Sequence, residues 1–121
     1  MGGEVIEIQY KTKQVEKVCK DFKLAKKKFN ERVAEKLHAM INLLENANNL
    51  NDINMMRIYN LHQLEGKRKG QYALDLGRSL GYRLVLIPLD ENGNPYEEDD
   101  INILYSSTKI ILIWEVSNHY E

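Results

Sequence analysis

The sequence predicts an α+β domain in which two helices cover one face of a small, twisted, antiparallel-dominated sheet. Three observations predict this class: a first segment that partly alternates apolar and polar residues, two stretches with helical spacing, and later apolar segments separated by turns. Each helical stretch has one apolar stripe, which must be buried against another layer. The expected order is β-α-α-β-β-β. A chain of 121 residues is long enough for a single domain, spanning residues 1–121.

The N-terminal half supplies the first strand and both helices. Residues 5–10 partly alternate and indicate a strand. Apolar residues then recur at helical spacing as far as Phe29, with lysines on the opposite side, so one helix is expected there. Asn30 can cap a second helix, which should end at the asparagine-rich residues 46–49. A short helical turn is expected over residues 51–54.

The C-terminal half supplies the remaining strands. Residues 71–77 alternate and indicate one strand of a hairpin. Residues 81–87 are apolar on both faces apart from Arg83, which is typical of a central strand, and Pro88 is expected to close it. Residues 110–114 indicate a last buried strand.

The segments around the last strand are less regular. Residues 90–95 have strong turn chemistry, and the acidic stretch that continues to residue 100 should be exposed. Residues 101–105 are ambiguous. Residues 117–121 are expected to form a short end piece.

Composition bounds the class of protein. With 43% hydrophobic and 29% charged residues, the chain resembles an ordinary globular protein. Its single cysteine, Cys19, excludes an internal disulfide and is expected to be a core thiol in a reducing compartment. No span reaches the roughly 20 apolar residues that cross a bilayer, and no secretory signal is recognisable. A cytoplasmic protein without a membrane partner is therefore expected.

Charge is strongly segregated although the net charge is only −1. Residues 11–28 carry eight lysines against two acids, and residues 61–88 carry five basic residues against two acids. Residues 90–100 hold six acids and no base. Such segregation can create a local positive field on a nearly neutral molecule. For residues 11–28 a solvated helix face is the simpler interpretation.

Arg83 is the residue that points to a function. A guanidinium in an apolar strand must be paired or face an anion, because burying it alone is costly. His62 precedes a basic loop and His119 follows the last strand, so both are expected to flank the sheet face that carries Arg83. His38 lies in the middle of a helix, where a structural or surface role is expected.

Basic residues cluster around this strand. The loop from Gly66 to Gly70 carries three of them, and a further arginine lies on the next turn; the four are Lys67, Arg68, Lys69 and Arg78. The loop is not a nucleotide-binding P-loop, because it lacks the terminal lysine and hydroxyl residue and is followed by a strand. No metal-ligand spacing and no serine or cysteine nucleophile elbow is present. The sequence thus predicts no metal and no cofactor.

Phosphate chemistry without a metal fits this set. RNA contains its own nucleophile, the 2′-hydroxyl, so a protein that cleaves it needs a base, an acid and positive charge for the phosphorane. A general acid or base contributes about 10²–10⁴-fold, and fixed cationic donors contribute a comparable share. Two histidines, an arginine and a lysine-rich loop could supply these groups.

The order of these features resembles a known family. Residues 61–70 read LHQLEGKRKG, residues 72–76 read YALDL and residues 81–85 read GYRLV. This succession resembles the HigB killer toxins of the RelE/ParE superfamily. Their pattern runs leucine-histidine-proline-leucine-lysine-glycine, then a basic loop, an alternating strand and tyrosine- or tryptophan-arginine. Similarity of order covers nearly the whole chain, and the specific motif is confined to residues 61–87.

The resemblance implies a RelE-like fold and a ribosome-dependent, metal-independent mRNA endonuclease. It also implies a HigA-like helix-turn-helix antitoxin that holds the toxin inactive, with DNA contacted only through their complex. Carried over by position, Arg83 corresponds to the phosphate-stabilising arginine, His62 to the motif histidine and His119 to the terminal histidine. The basic loop would contact the RNA backbone.

Several positions depart from the family pattern. Glu65 replaces the motif lysine, and Ser117 and Asn118 replace a terminal aspartate and tyrosine. Ala73 and Asp75 stand where other nucleases of the superfamily carry lysines. A second hypothesis therefore stays open: a non-catalytic binding module, either a ParE-like gyrase inhibitor or a degenerate toxin kept for antitoxin binding. In a third, the basic segments are only a solubilising surface.

Overall fold

A computed structural model describes residues 5–118, except for the side chain of Arg78. Five strands form one sheet in the order β1-β5-β4-β3-β2. They are β1 (Glu7–Tyr10), β2 (His62–Gln63), β3 (Tyr72–Asp75), β4 (Tyr82–Leu89) and β5 (Ile110–Asn118). β1 runs parallel to β5, and the other neighbouring pairs are antiparallel. The predicted α+β class with an antiparallel-dominated sheet is confirmed.

Within residues 5–118, five α-helices accompany the sheet: α1 (Lys13–Lys20), α2 (Phe22–Lys28), α3 (Glu31–Asn46), α4 (Leu50–Asn54) and α5 (Ile101–Ser107). Each begins at a polar residue whose side chain accepts a hydrogen bond from a backbone N–H of the first turn. These caps are Thr12, Asp21, Asn30, Asn49 and Asp100. The predicted cap at Asn30 and the short helix near residues 51–54 are confirmed.

The first predicted helix is in fact two helices, separated at Asp21. The backbone of Asp21 is extended, with φ −108° and ψ 106°, and its carboxylate accepts the Leu24 N–H. Its own N–H still donates to the Lys17 carbonyl oxygen. Aspartate favours a cap over a helix interior through local hydrogen bonds, which is why the helix breaks here. The periodic apolar stripe continues across Asp21 and so did not reveal the break.

Two predicted boundaries in the C-terminal half are also wrong. β4 continues through Pro88 to Leu89. Proline has no backbone N–H to donate, and none is needed here, because the described pairing of β3 with β4 ends at Leu86. The Pro88 carbonyl oxygen instead accepts the Tyr96 N–H. β5 extends to Asn118, where a separate end piece had been expected. The ambiguous residues after the acidic loop form α5.

The main core lies between the helices and one face of the sheet. Its fully buried members come from α3, α4, α5 and alternate positions of β3, β4 and β5; they include Leu37, Leu44, Leu50, Leu74, Leu84, Leu104 and Ile111. Cys19 is buried in this core, where burial raises the pKa of its thiol to about 12. His38 Nε2 lies 3.3 Å from the Val18 carbonyl oxygen, and its ring packs edge-on against Phe22. Both residues have the structural roles that were predicted.

Within residues 5–118, no helix is both long enough and apolar enough to cross a membrane.

Candidate functional site

The candidate site lies on the sheet face turned away from the main core, here called the open face. Successive strand residues point to opposite faces. Since Leu84 and Leu86 of β4 point into the main core, Arg83 and Val85 point to the open face. The neighbouring strands add residues at matching positions, namely His62, Ala73, Asp75, Glu115 and Ser117.

Strand register arranges these side chains in two rows. In the first row, His62 pairs with Ala73, Ala73 with Val85, and Val85 with Glu115; the second row is Asp75, Arg83 and Ser117. With about 4.8 Å between strands and about 3.3 Å per residue, the Cα atoms of His62 and Arg83 are roughly 12 Å apart. Strand register thus places His62 and Arg83 on the open face, two strands and two residues apart.

Arg83 is half-buried and has no carboxylate partner among the ion pairs of residues 5–118. Its Nε donates a hydrogen bond to the Ser117 hydroxyl oxygen at 3.2 Å. Asp75 stands across from it on β3 as its Cα partner. The guanidinium is therefore oriented by a neutral group and can interact with an anion. Sequence reasoning treated Ser117 only as a departure from a motif and missed this positioning contact.

His62 is oriented by the backbone of Asn60, a residue with an unusual conformation. Its Nδ1 donates to the Asn60 carbonyl oxygen at 2.7 Å, and because a carbonyl can only accept, Nδ1 carries the proton. In the neutral ring, Nε2 is then an acceptor. Asn60 has left-handed backbone angles, φ 50° and ψ 51°, and its Nδ2 lies 3.4 Å from Asp75 Oδ2. Asn60 thereby connects the two rows of the open face.

The basic loop is anchored to the open face by Arg68. This arginine donates through Nη2 to Glu115 and through Nε to Gln71 Oε1 at 2.8 Å. Lys67 and Lys69 on either side of it are exposed. Arg68 therefore holds the loop in place, and the two lysines are left to meet solvent or a ligand. Glu115 was not singled out in the sequence, although one acid in an apolar strand is the same kind of signal as Arg83.

A small apolar cluster forms the floor between these polar groups. Leu64, Ala73 and Val85 are buried together, and Trp114 packs against them. A bulge in the β4–β5 pairing inserts Trp114 between Ile113 and Glu115, which gives the open face an additional aromatic ring. Lys11 Nζ lies over that ring, 3.7 Å from its centroid. The floor excludes water from one side of the polar rows.

Two predicted site residues stay untested by this geometry. His119 lies outside the described residues, so its proximity to His62 and Arg83 stays a prediction. Arg78 lies in a short 3₁₀ turn, Arg78–Leu80, and its side chain is outside the described part of the structure. Among residues 5–118, no group of three or more His, Cys, Asp or Glu side chains could hold a metal ion.

Comparison with known proteins supports the fold. No family model and no curated protein matches the sequence. The structure is similar to the crystal structure of a histidine-to-glutamine mutant of YafQ from E. coli, with a TM-score of 0.51 and 20% sequence identity. The match covers 95% of this chain and 94% of that chain. The chain therefore shares the fold of YafQ along nearly its whole length.

Proposed function

We propose that this protein is the toxin of a type II toxin–antitoxin system and cleaves mRNA on the ribosome. The observation that carries the proposal is the open face. There an oriented histidine and an arginine without a carboxylate partner within residues 5–118 occupy adjacent rows beside two exposed lysines. The fold that the chain shares with YafQ is the one expected of a RelE/ParE toxin. The HigB-like subtype and a HigA-like antitoxin are part of the proposal and rest on the sequence motif.

The geometry suits attack by the RNA 2′-hydroxyl. His62 Nε2 accepts the proton of that hydroxyl while its oxygen forms a bond to the adjacent phosphorus. Arg83 donates to the non-bridging oxygens, on which negative charge accumulates in the phosphorane. The bond to the 5′-oxygen then breaks, and His119 gives that oxygen a proton. The products are a 2′,3′-cyclic phosphate and a 5′-hydroxyl, and no metal enters the steps.

The lysines of the basic loop would bind the flanking RNA phosphates. Lys67 and Lys69 are exposed next to the His62 row, and each contact with a phosphate strengthens binding in a salt-dependent way. Arg68 is a positioning residue in this scheme, because Glu115 and Gln71 engage its guanidinium. In the proposal Arg78 adds a further phosphate contact.

The test is to induce the protein in growing bacteria and map the 5′ ends of transcripts. Cleavage within translated messages that disappears in the Arg83→Ala variant is the expected result. His119→Gln should lower cleavage strongly, whereas His38→Gln should not, because His38 packs between helices. Growth arrest with intact messages would show that the protein is not an mRNA endonuclease.

A second function has its own support in the acidic side chains of the open face. Asp75 stands opposite Arg83, and Glu115 neutralises Arg68, so the face carries less positive charge than its arginines suggest. These features favour a non-catalytic module, either a ParE-like gyrase inhibitor or a degenerate toxin retained for antitoxin binding. DNA-damage signalling with intact messages would indicate gyrase inhibition. Antitoxin binding without any toxicity would indicate the degenerate form.

A further inference from the structure

A cavity of about 500 Å³ at one end of the sheet is not used by the proposed reaction. It lies between α3 and the turn that follows β3. Met40 and Leu76, both buried, line its inner part, and the exposed side chains of Arg32 and Lys36 line its outer part. Its size is within the range of roughly 300–1,000 Å³ found for ligand-binding sites.

An exposed apolar segment borders this cavity. Met55, Met56 and Ile58 are exposed to 71%, 41% and 81%, and Ile58 itself lines the cavity. Three large apolar side chains left in water within four residues are unusual, since concentrated apolar surface commonly marks an interaction site. Methionine adapts well to a partner surface because its side chain is unbranched and flexible.

The charges of the cavity select the kind of partner. Arg32 and Lys36 are one helical turn apart on α3 and so present their cations side by side. Neither takes part in an ion pair among residues 5–118. Asp75 is the acidic residue that lines the same cavity, so the two basic side chains give the lining a net positive charge. A complementary surface needs carboxylates next to apolar side chains.

We propose that the cavity and residues 55–58 form a docking surface for a protein partner with an acidic amphipathic segment. A small molecule inside the cavity would leave Met55 and Met56 exposed, so an occupant that spans the rim fits better. The acidic residues 90–100 of a second copy fit poorly, because Pro95 and Tyr96 are the apolar residues they offer. The partner's apolar side chains would cover Ile58 and its carboxylates would pair with Arg32 and Lys36.

The docking surface shares Asp75 with the open face. Asn60 donates to the Asp75 carboxylate, and the Asn60 carbonyl oxygen accepts the proton of His62 Nδ1. An occupant that displaces Asp75 would therefore change the environment of His62. Binding itself does not depend on RNA cleavage, so the inference goes beyond the proposed function and can be tested separately from it.

The probe is a synthetic helical peptide of about 16 residues with leucines on one face and glutamates on the other. A matched peptide carries lysine in place of every glutamate. Titrated into the ¹⁵N-labelled full chain, the glutamate peptide should shift the amide signals of residues 32–40, 55–59 and 75–80. It should also bind about tenfold more tightly than the lysine peptide. Equal affinities, no binding, or shifts confined to residues 11–28 would overturn the proposal.

Charge-reversal variants identify the surface. Arg32→Glu with Lys36→Glu should weaken the glutamate peptide about tenfold or more and strengthen the lysine peptide. The control is Lys23→Glu with Lys27→Glu on α2, which makes the same change in net charge at exposed positions outside the cavity lining. Equal weakening by both variants would show a general charge effect and contradict the proposal. Dimers of the chain that dissociate in the first variant, with no peptide bound, would assign the surface to self-association instead.

Discussion

The two faces of the sheet use alternate residues of the same strands, yet they differ in chemistry. The face under the helices is packed with aliphatic side chains such as Leu74, Leu84 and Ile111, which are fully buried. The open face has a small apolar floor surrounded by arginine, histidine and acidic side chains. A rigid, apolar layer behind the strands lets the exposed layer hold polar groups at defined distances. Stability and chemistry are therefore expected to separate by face.

Adjacent residues of β4 give the strongest test of this separation. Arg83→Ala should lower mRNA cleavage by about 10²–10³-fold, since a fixed cationic donor is lost, and should change stability by less than about 1 kcal/mol. Leu84→Ala should lower the free energy of unfolding by about 2–5 kcal/mol, because it opens a cavity in the main core. Urea unfolding and cleavage on purified ribosomes measure the two effects. Equal loss of stability in both variants would contradict the division.

The histidines provide the next comparison. His62→Gln should lower cleavage by about 10²–10⁴-fold, because it removes the proposed base on the open face. His38→Gln should leave cleavage per folded molecule unchanged and reduce thermal stability, since His38 contacts Val18 and Phe22 between helices. If His62→Gln cleaves normally, the base is another residue.

Asn60 tests whether the orientation of His62 matters. Asn60→Gly keeps the left-handed backbone and should cleave at a rate close to that of the parent protein. Asn60→Val cannot adopt that conformation without strain of about 1–3 kcal/mol and should cleave about tenfold more slowly. Imidazole ¹⁵N shifts of His62 should show the Nδ1-protonated form in the glycine variant and a mixture in the valine variant. Identical spectra and rates would remove Asn60 from the site.

In the main core under the helices, the buried thiol of Cys19 predicts a loss of folding stability at high pH. The pKa of Cys19 is raised by burial from 9.0 to about 12, so above pH 9 the unfolded chain loses this proton before the folded chain does. Its contribution is fully present below pH 9 and declines by about 1.4 kcal/mol per pH unit above it. Denaturant unfolding between pH 8 and pH 10 measures the slope, which should be smaller in Cys19→Ala. An unchanged slope would show that the thiol is not the cause.

The smallest effect is expected for the ion pair that anchors the basic loop. Arg68 and Glu115 are both partly exposed, so solvent screens their attraction. A double-mutant cycle with Arg68→Ala and Glu115→Ala should give a coupling free energy below about 1 kcal/mol. The cycle is measured by chemical denaturation. A coupling of several kcal/mol would place this pair among the principal stabilising contacts and would contradict the view that stability comes mainly from the face under the helices.

Sequence periodicity was sufficient to predict the fold class, the hairpin and the second predicted helix, which is α3. Alternation in β3 and the apolar stripe of α3 depend on local geometry that repeats every two or every 3.6 residues. The passage of β4 through Pro88 depends on which strand lies beside it, and that neighbour comes from a distant part of the chain, so local patterns could not reveal it. The break at Asp21 is local, since its partners Leu24 and Lys17 are three and four residues away, but the regular apolar stripe that continues across Asp21 concealed it.

For the candidate site, the sequence by itself determined that Arg83 and His62 carry unusual chemistry, because charge in an apolar strand and a histidine beside a basic loop are visible locally. Only the tertiary structure decided that Arg68 is engaged by Glu115, that Ser117 orients Arg83, and that Asn60 sets the tautomer of His62. The physical reason is strand register. A shift of one residue turns every side chain to the opposite face, and register is set by pairing across the sheet.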